Sequence, residues 1–132
     1  MDRLKLLIVD DNELFRKSLH LFIKKISSVE IVGEALNGFE ALEMVEKTAP
    51  DIVLMDIAMP MMNGIEATRT IKQRWPSTVV MLMTNYDAYL YEAEARQAQA
   101  DVFLSKFDLK TVLHDSLIAL SPLKHRNQMA EV

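Results

Sequence analysis

Five short apolar runs punctuate the chain, at Leu6–Val9, Val29–Val32, Ile52–Met55, Val79–Met83 and Val102–Leu104. They are rich in Val, Ile, Leu and Met and show no clean in-and-out alternation. That is the pattern of strands buried on both faces of a parallel sheet. Between them the apolar spacing turns helical. Phe15, Leu19, Phe22, Ile23 and Ile26 form one stripe, and Ala41, Leu42, Val45 and Ala49 a shorter one. Ile65, Thr68, Ile71 and Trp75 form a third. A less regular, Ala-rich stretch runs from about Asp87 to Gln99, and Leu109, Val112, Leu113, Ser116, Leu117 and Leu120 complete a fifth. Asn12 and Asp108 are placed as helix N-caps. Pro50 and Pro76 stand just past the second and third helices, and Asn37-Gly38 reads as a turn signal.

The order is therefore strand then helix, five times over. Parallel strands need helical crossovers of right-handed sense. Five of them predict an open α/β fold, a doubly wound parallel sheet of flavodoxin-like strand order 2-1-3-4-5. The expected domain spans residues 1–120, and residues 121–132 read as a tail or the start of a linker. A chain of 132 residues, half of them apolar, is enough for one sizeable core. The formal net charge of -4 argues against a free-standing nucleic-acid binder. No Cys is present, which excludes a disulfide framework and a thiolate metal site. No apolar run reaches the ~18 residues of a membrane span, and the first residues lack a signal-peptide layout. A cytoplasmic protein without membrane attachment is expected. The nine Met read as adaptable core filler.

Open α/β sheets bind ligands outside the carboxyl ends of their strands. Here the first strand ends in Asp10-Asp11, the third in Asp56, the fourth in Thr84-Asn85 and the fifth in Ser105-Lys106. The second ends in Glu34-Ala35, at an expected sheet edge. Three carboxylates on one rim repel one another, and a divalent cation removes the conflict. Oxygen ligands without His or Cys favour Mg²⁺ or Mn²⁺. Asp56 is then the natural nucleophile, because a carboxylate can form an acyl phosphate. Lys106 and the Thr84 hydroxyl can meet the charge on phosphoryl oxygens. Taken singly, Asp10 reads more often as a helix cap or turn former, Thr84 equally as a cap of the fourth helix, Lys106 usually as a solvated surface lysine, and Asp56 could be the start of a turn before Pro60. The joint placement on four strand ends is the stronger signal.

With these residues in place, about residues 4–120 resemble the receiver domain of bacterial two-component response regulators. The matching text is Leu6-Leu7-Ile8-Val9-Asp10-Asp11-Asn12, Asp51 through Pro60, Met62-Asn63-Gly64-Ile65-Glu66-Ala67, Met81-Leu82-Met83-Thr84 and Phe103-Leu104-Ser105-Lys106. The resemblance implies that Asp56 accepts a phosphoryl group from a sensor histidine kinase or phosphotransfer protein. It implies that Asp11 binds Mg²⁺ directly, Asp10 mainly through water, and Asp56 and the Ala58 carbonyl as further ligands. Thr84 and Lys106 would bind the phosphoryl oxygens, and Phe103 would be the switch aromatic. Its alternative is a plain core aromatic. His20, His114 and His125 match no functional position. Asn63-Gly64-Ile65-Glu66-Ala67, and a Lys106 followed by Phe107 instead of Pro, look most like receivers that precede a LuxR-type DNA-binding domain. Output would then be a homodimer through the face of the fourth helix, fifth strand and fifth helix, or an altered effector contact, with DNA reached only through a domain outside these residues.

Two departures from the family pattern stand out. Gln99 occupies a position where such receivers carry Gly after the fourth helix, and it should either accept a left-handed conformation at a cost of about 1 kcal/mol or end the helix differently. Tyr86 and Ala58 flank the expected path of hydrolytic water, so Tyr86 should partly cover the site. Three rival readings share parts of the pattern. A pseudo-receiver would keep the fold without phosphorylation. A haloacid-dehalogenase-like phosphatase would want Asp-x-Asp and a cap domain, whereas Asp10 is followed by Asp11. A flavodoxin-like carrier would want a phosphate loop where Asp10-Asp11-Asn12-Glu13 repels phosphate.

Overall fold

The computed structural model describes residues 3–85 and 90–131, with side chains as far as residue 120. Tyr86 lies outside the described residues. The elements follow the expected alternation: β1 (Leu4–Val9), α1 (Glu13–Ile23), β2 (Val29–Ala35), α2 (Gly38–Thr48), β3 (Ile52–Asp56), α3 (Gly64–Arg74), β4 (Val79–Thr84), α4 (Glu92–Gln97), β5 (Val102–Ser105) and α5 (Leu109–Glu131). All strand pairs are parallel, and the order is β2-β1-β3-β4-β5. This is the doubly wound α/β sheet read from the sequence. A register shift between Leu6 and Leu7 leaves Val32 of β2 as the extra residue.

The two-residue period of each strand sorts its side chains between two cores. Leu6, Ile8, Leu54, Met81, Met83 and Leu104 face α1 and α5, where Leu19, Ile23, Leu109, Leu113 and Leu117 meet them. Leu7, Val9, Val53, Met55, Val80 and Leu82 face α2, α3 and α4, packing on Ala41, Val45, Ile65, Ile71 and Ala95. Both faces are covered, so the strands show no polar alternation. His20, expected beside the core stripe of α1, is exposed.

The starts of α1, α2 and α3 are set by Asn. Asn12, Asn37 and Asn63 each accept, through the side-chain oxygen, the N–H of the residue three positions on. Asn37-Gly38 is thus the start of α2 and not a chain-reversing turn. The Asn side chain occupies the donor that a turn would leave free, and the Gly38 N–H donates to the Met62 carbonyl at 2.9 Å. The α4 helix is shorter than its Ala-rich stretch. It ends with Gln99 at φ 71°, the left-handed value expected from the missing glycine. Gln99 N–H donates to Arg96 O and Ala100 N–H to Ala95 O, the two bonds of a Schellman ending. The α5 backbone continues as helix to Glu131, past the boundary expected at Leu120. The apolar stripe stops there, and the helix runs on through Ser121, Pro122 and Asn127, residues of low helix preference.

Candidate functional site

The strand period also assigns the polar residues at the carboxyl edge. Asp56 closes β3 in phase with Leu54, and Met83 is its partner on β4. Asp10 and Lys106 each stand one residue past a strand but remain in the ladder: Asp10 N–H donates to Ala35 O at 3.0 Å and Lys106 N–H to Thr84 O at 2.8 Å. Both are in phase with the α1/α5 face, Asp10 with Ile8 and Lys106 with Leu104. Three charged groups from β1, β3 and β5 are thereby aimed into one place.

There the Lys106 ammonium lies 2.7 Å from Asp10 Oδ2 and 3.5 Å from Asp56 Oδ2. Asp10 is wholly buried, and the Lys106 side chain is only 7% exposed. Asp11 is exposed on the lip of the site. Carboxylate oxygens of Asp10, Asp11 and Asp56 all lie within 4.8 Å of one another. The donor set is hard oxygen, without a nitrogen or sulfur ligand, and it fits a divalent cation such as Mg²⁺. Burial pushes the Asp56 carboxyl up to about 6; Lys106 pulls it down, Asp10 pushes it up, and the Ala58 N–H favours the carboxylate by hydrogen bonding. One buried ammonium does not balance three carboxylates, so the site favours a further positive charge.

Thr84 and Phe103 belong to the other face. Leu82 pairs with Phe103 and Thr84 with Ser105, which puts Thr84 and Phe103 one diagonal step apart. Thr84 is 2% exposed. Phe103 is half-buried and lines a cleft of about 260 Å³ with Ala95, Arg96 and Ala100. All the site residues expected from the sequence thus fall at the carboxyl edge or just behind it.

Three contributors were assigned no role at the site from the sequence. Gly64 N–H donates to Ile57 O at 2.9 Å, and a Cβ at Gly64 would collide with the main-chain oxygen of Asp56. Arg16 donates from Nη1 to Asp10 O at 2.7 Å. Phe15 lies under the Lys106 ammonium, with 4.1 Å from Nζ to the ring centroid. Of the three, Phe15 falls on a core stripe, and its second role depends on where Lys106 arrives from ninety residues away.

A doubly wound sheet carrying a buried aspartate, an acidic pair and a lysine at its carboxyl edge is the arrangement of a signalling receiver domain. Residues 6–117 match the response regulator receiver domain family, and the chain belongs to it. The chain is 40% identical over 103 residues to the uncharacterized transcriptional regulatory protein YhcZ of Bacillus subtilis, covering 78% of this chain and 48% of that one. It is 35% identical over 105 residues to the transcriptional regulatory protein DegU of Brevibacillus brevis, covering 80% and 44%. Among solved structures, the receiver domain of the response regulator NarL from Mycobacterium tuberculosis superposes with a TM-score of 0.85 at 28% identity, covering 92% of this chain and 98% of that one. The chain spans about half the length of the curated relatives it matches, or less. The chain is a receiver domain of a two-component response regulator, with a role in signalling. Among the described residues no helix is long and apolar enough to cross a membrane.

Proposed function

We propose that Asp56 accepts a phosphoryl group from a phosphohistidine donor and that the charge it brings switches the domain. The observation that carries this reading is the convergence of Asp10, Asp11, Asp56 and Lys106, with all three carboxylates within 4.8 Å of one another. In the transfer, an Asp56 oxygen bonds to phosphorus as the P–N bond to the donor imidazole breaks. The donor is a sensor histidine kinase or phosphotransfer protein. Leu14, Met61 and Phe107, exposed at 78%, 78% and 88%, follow the strand ends closely and suit its docking.

Asp10, Asp11, Asp56 and the Ala58 carbonyl would hold Mg²⁺ or Mn²⁺. The ion supplies charge neutralisation for the phosphoryl oxygens. Lys106 exchanges part of its hold on Asp10 for a phosphoryl oxygen, and the Thr84 hydroxyl binds another. Drawing Thr84 forward vacates space beside Phe103 on the same sheet face, which lets that ring turn inward. The two states differ in the α4–β5–α5 surface, and phosphorylation shifts the population between them. A homodimer through that face, or a contact with an output domain, reads the shift.

The domain performs only its own phosphoryl transfer and dephosphorylation. Residues 1–120 are the receiver unit, and 121–132 begin the connection to a DNA-binding output domain, as the names of the transcriptional relatives support. The protein acts in the cytoplasm. The test is phosphorylation by acetyl phosphate with and without Mg²⁺, on wild type and Asp56→Asn, read by mass and by size. A single phosphoryl mass that needs Mg²⁺ and is absent from Asp56→Asn is expected. Equal labelling of Asp56→Asn would refute the reading.

A further inference from the structure

We infer that Phe15 is a positioning residue for phosphoryl transfer: its ring face holds the Lys106 ammonium in place by a cation–π contact, independently of the carboxylates. This rests on the proposed acceptor role of Asp56. Three contacts hold the Lys106 head group among the described residues. Asp10 lies at 2.7 Å, Asp56 at 3.5 Å and the Phe15 ring centroid at 4.1 Å. A cation over an aromatic face is attracted by the ring quadrupole, more strongly when water is excluded. Here the lysine side chain is 7% exposed. The two carboxylates are poor permanent anchors. Asp10 belongs to the acidic trio that fits a cation, and Asp56 is the residue to be modified. Each changes its charge environment during the switch. The Phe15 ring is uncharged and takes no part in the transfer, and α1 carries it on the stripe that packs against the core.

The position of Phe15 follows from the helix start. Asn12 caps α1, so Phe15 stands in its first turn, and its own N–H is the one Asn12 binds, at 2.9 Å. The next residue, Arg16, ties the same turn to the Asp10 carbonyl at 2.7 Å. The ring is thus fastened to the segment that carries the acidic pair, and it sets the ammonium relative to that pair. A Leu at this position would keep much of the apolar contact with the core but would offer no quadrupole.

The experiment replaces Phe15 with mono-, di- and trifluorophenylalanine, which keep the shape and weaken the ring quadrupole stepwise, alongside Phe15→Leu and Phe15→Tyr. Labelling by acetyl phosphate in Mg²⁺ should slow progressively along the series, reaching about tenfold for Phe15→Leu. Phe15→Tyr should stay near wild type. In a Lys106→Met background the series should be flat. A second readout needs no phosphorylation: the ε-methylene protons of Lys106 should be shifted upfield by the ring current in wild type, with and without Mg²⁺, and lose that shift in Phe15→Leu. A flat fluorine series with labelled wild type, or an unshifted Lys106, would overturn this inference alone. A wild type that takes no label would overturn the acceptor reading and the catalytic role of Phe15 with it.

Discussion

The Lys106 ammonium sits 2.7 Å from the Asp10 carboxylate and 3.5 Å from that of Asp56, so in this state the lysine is bound chiefly to the residue that is not the proposed acceptor. The same ammonium lies over the Phe15 ring. The pair is buried, which makes its loss costly. Lys106→Met should destabilise the protein by about 3 kcal/mol in chelator, because it leaves Asp10 and Asp56 uncompensated. Urea denaturation measures this. Mg²⁺ should recover most of the loss and bind more tightly than to wild type. An unchanged denaturation midpoint in chelator would contradict the pairing.

The raised Asp56 carboxyl predicts how stability depends on pH without divalent ions. Its folded value of about 6 lies above the 3.8 of the free side chain, so the folded protein binds the proton more tightly. This favours the fold at low pH, and the contribution is lost as pH rises from about 4 to about 6. The total is about 3 kcal/mol. Asp56→Asn should abolish that component, seen as a wild-type-minus-variant stability difference that falls as pH rises from about 4 to about 6. The Mg²⁺-induced rise in melting temperature should be larger at pH 7.5 than at pH 5.

Gly64 touches the backbone of the acceptor strand. Gly64→Ala places a methyl against the Asp56 main-chain oxygen. It should cost about 2 kcal/mol through overpacking and slow labelling by shifting Asp56. Asn63→Ala, one residue away, should cost about 1 kcal/mol through the lost cap and leave Asp56 in place. Denaturation and labelling rates on both variants separate the two effects.

Gln99 holds a left-handed conformation at φ 71°. Gln99→Gly should relieve that strain, partly offset by the greater freedom of glycine in the unfolded chain. A net gain of about 0.5–1 kcal/mol is expected, a rise of about 3 °C in melting temperature. A lower melting temperature would show that the Gln99 side chain supplies more than its backbone costs.

Strand and helix identity were legible because burial on both faces leaves apolar runs and stripes that differ in period. Asp10, Asp56, Thr84 and Lys106 were legible because each stands at the end of such a run. Boundaries were less so. Asn37-Gly38 carries the chemistry of a turn and of a helix cap alike, and only its contacts with Glu40 and Met62 decide between them. The α4 helix has few buried side chains, so its apolar spacing marks its start poorly. The length of α5 beyond Leu120 was not legible, because the apolar stripe ends there and Ser121-Pro122 carries the chemistry of a helix break.

The sequence by itself determined the class of fold, the strand order expected of it and the residue types at the carboxyl edge, because periodicity and turn chemistry are local properties. Only the tertiary structure decided which of those residues touch. Asp10, Asp56 and Lys106 come from strands far apart in the chain, and their distances follow from the ladder register and the side-chain phase. The same holds for Phe15 and Gly64, whose roles exist only because folding brings Lys106 over one and Asp56 against the other.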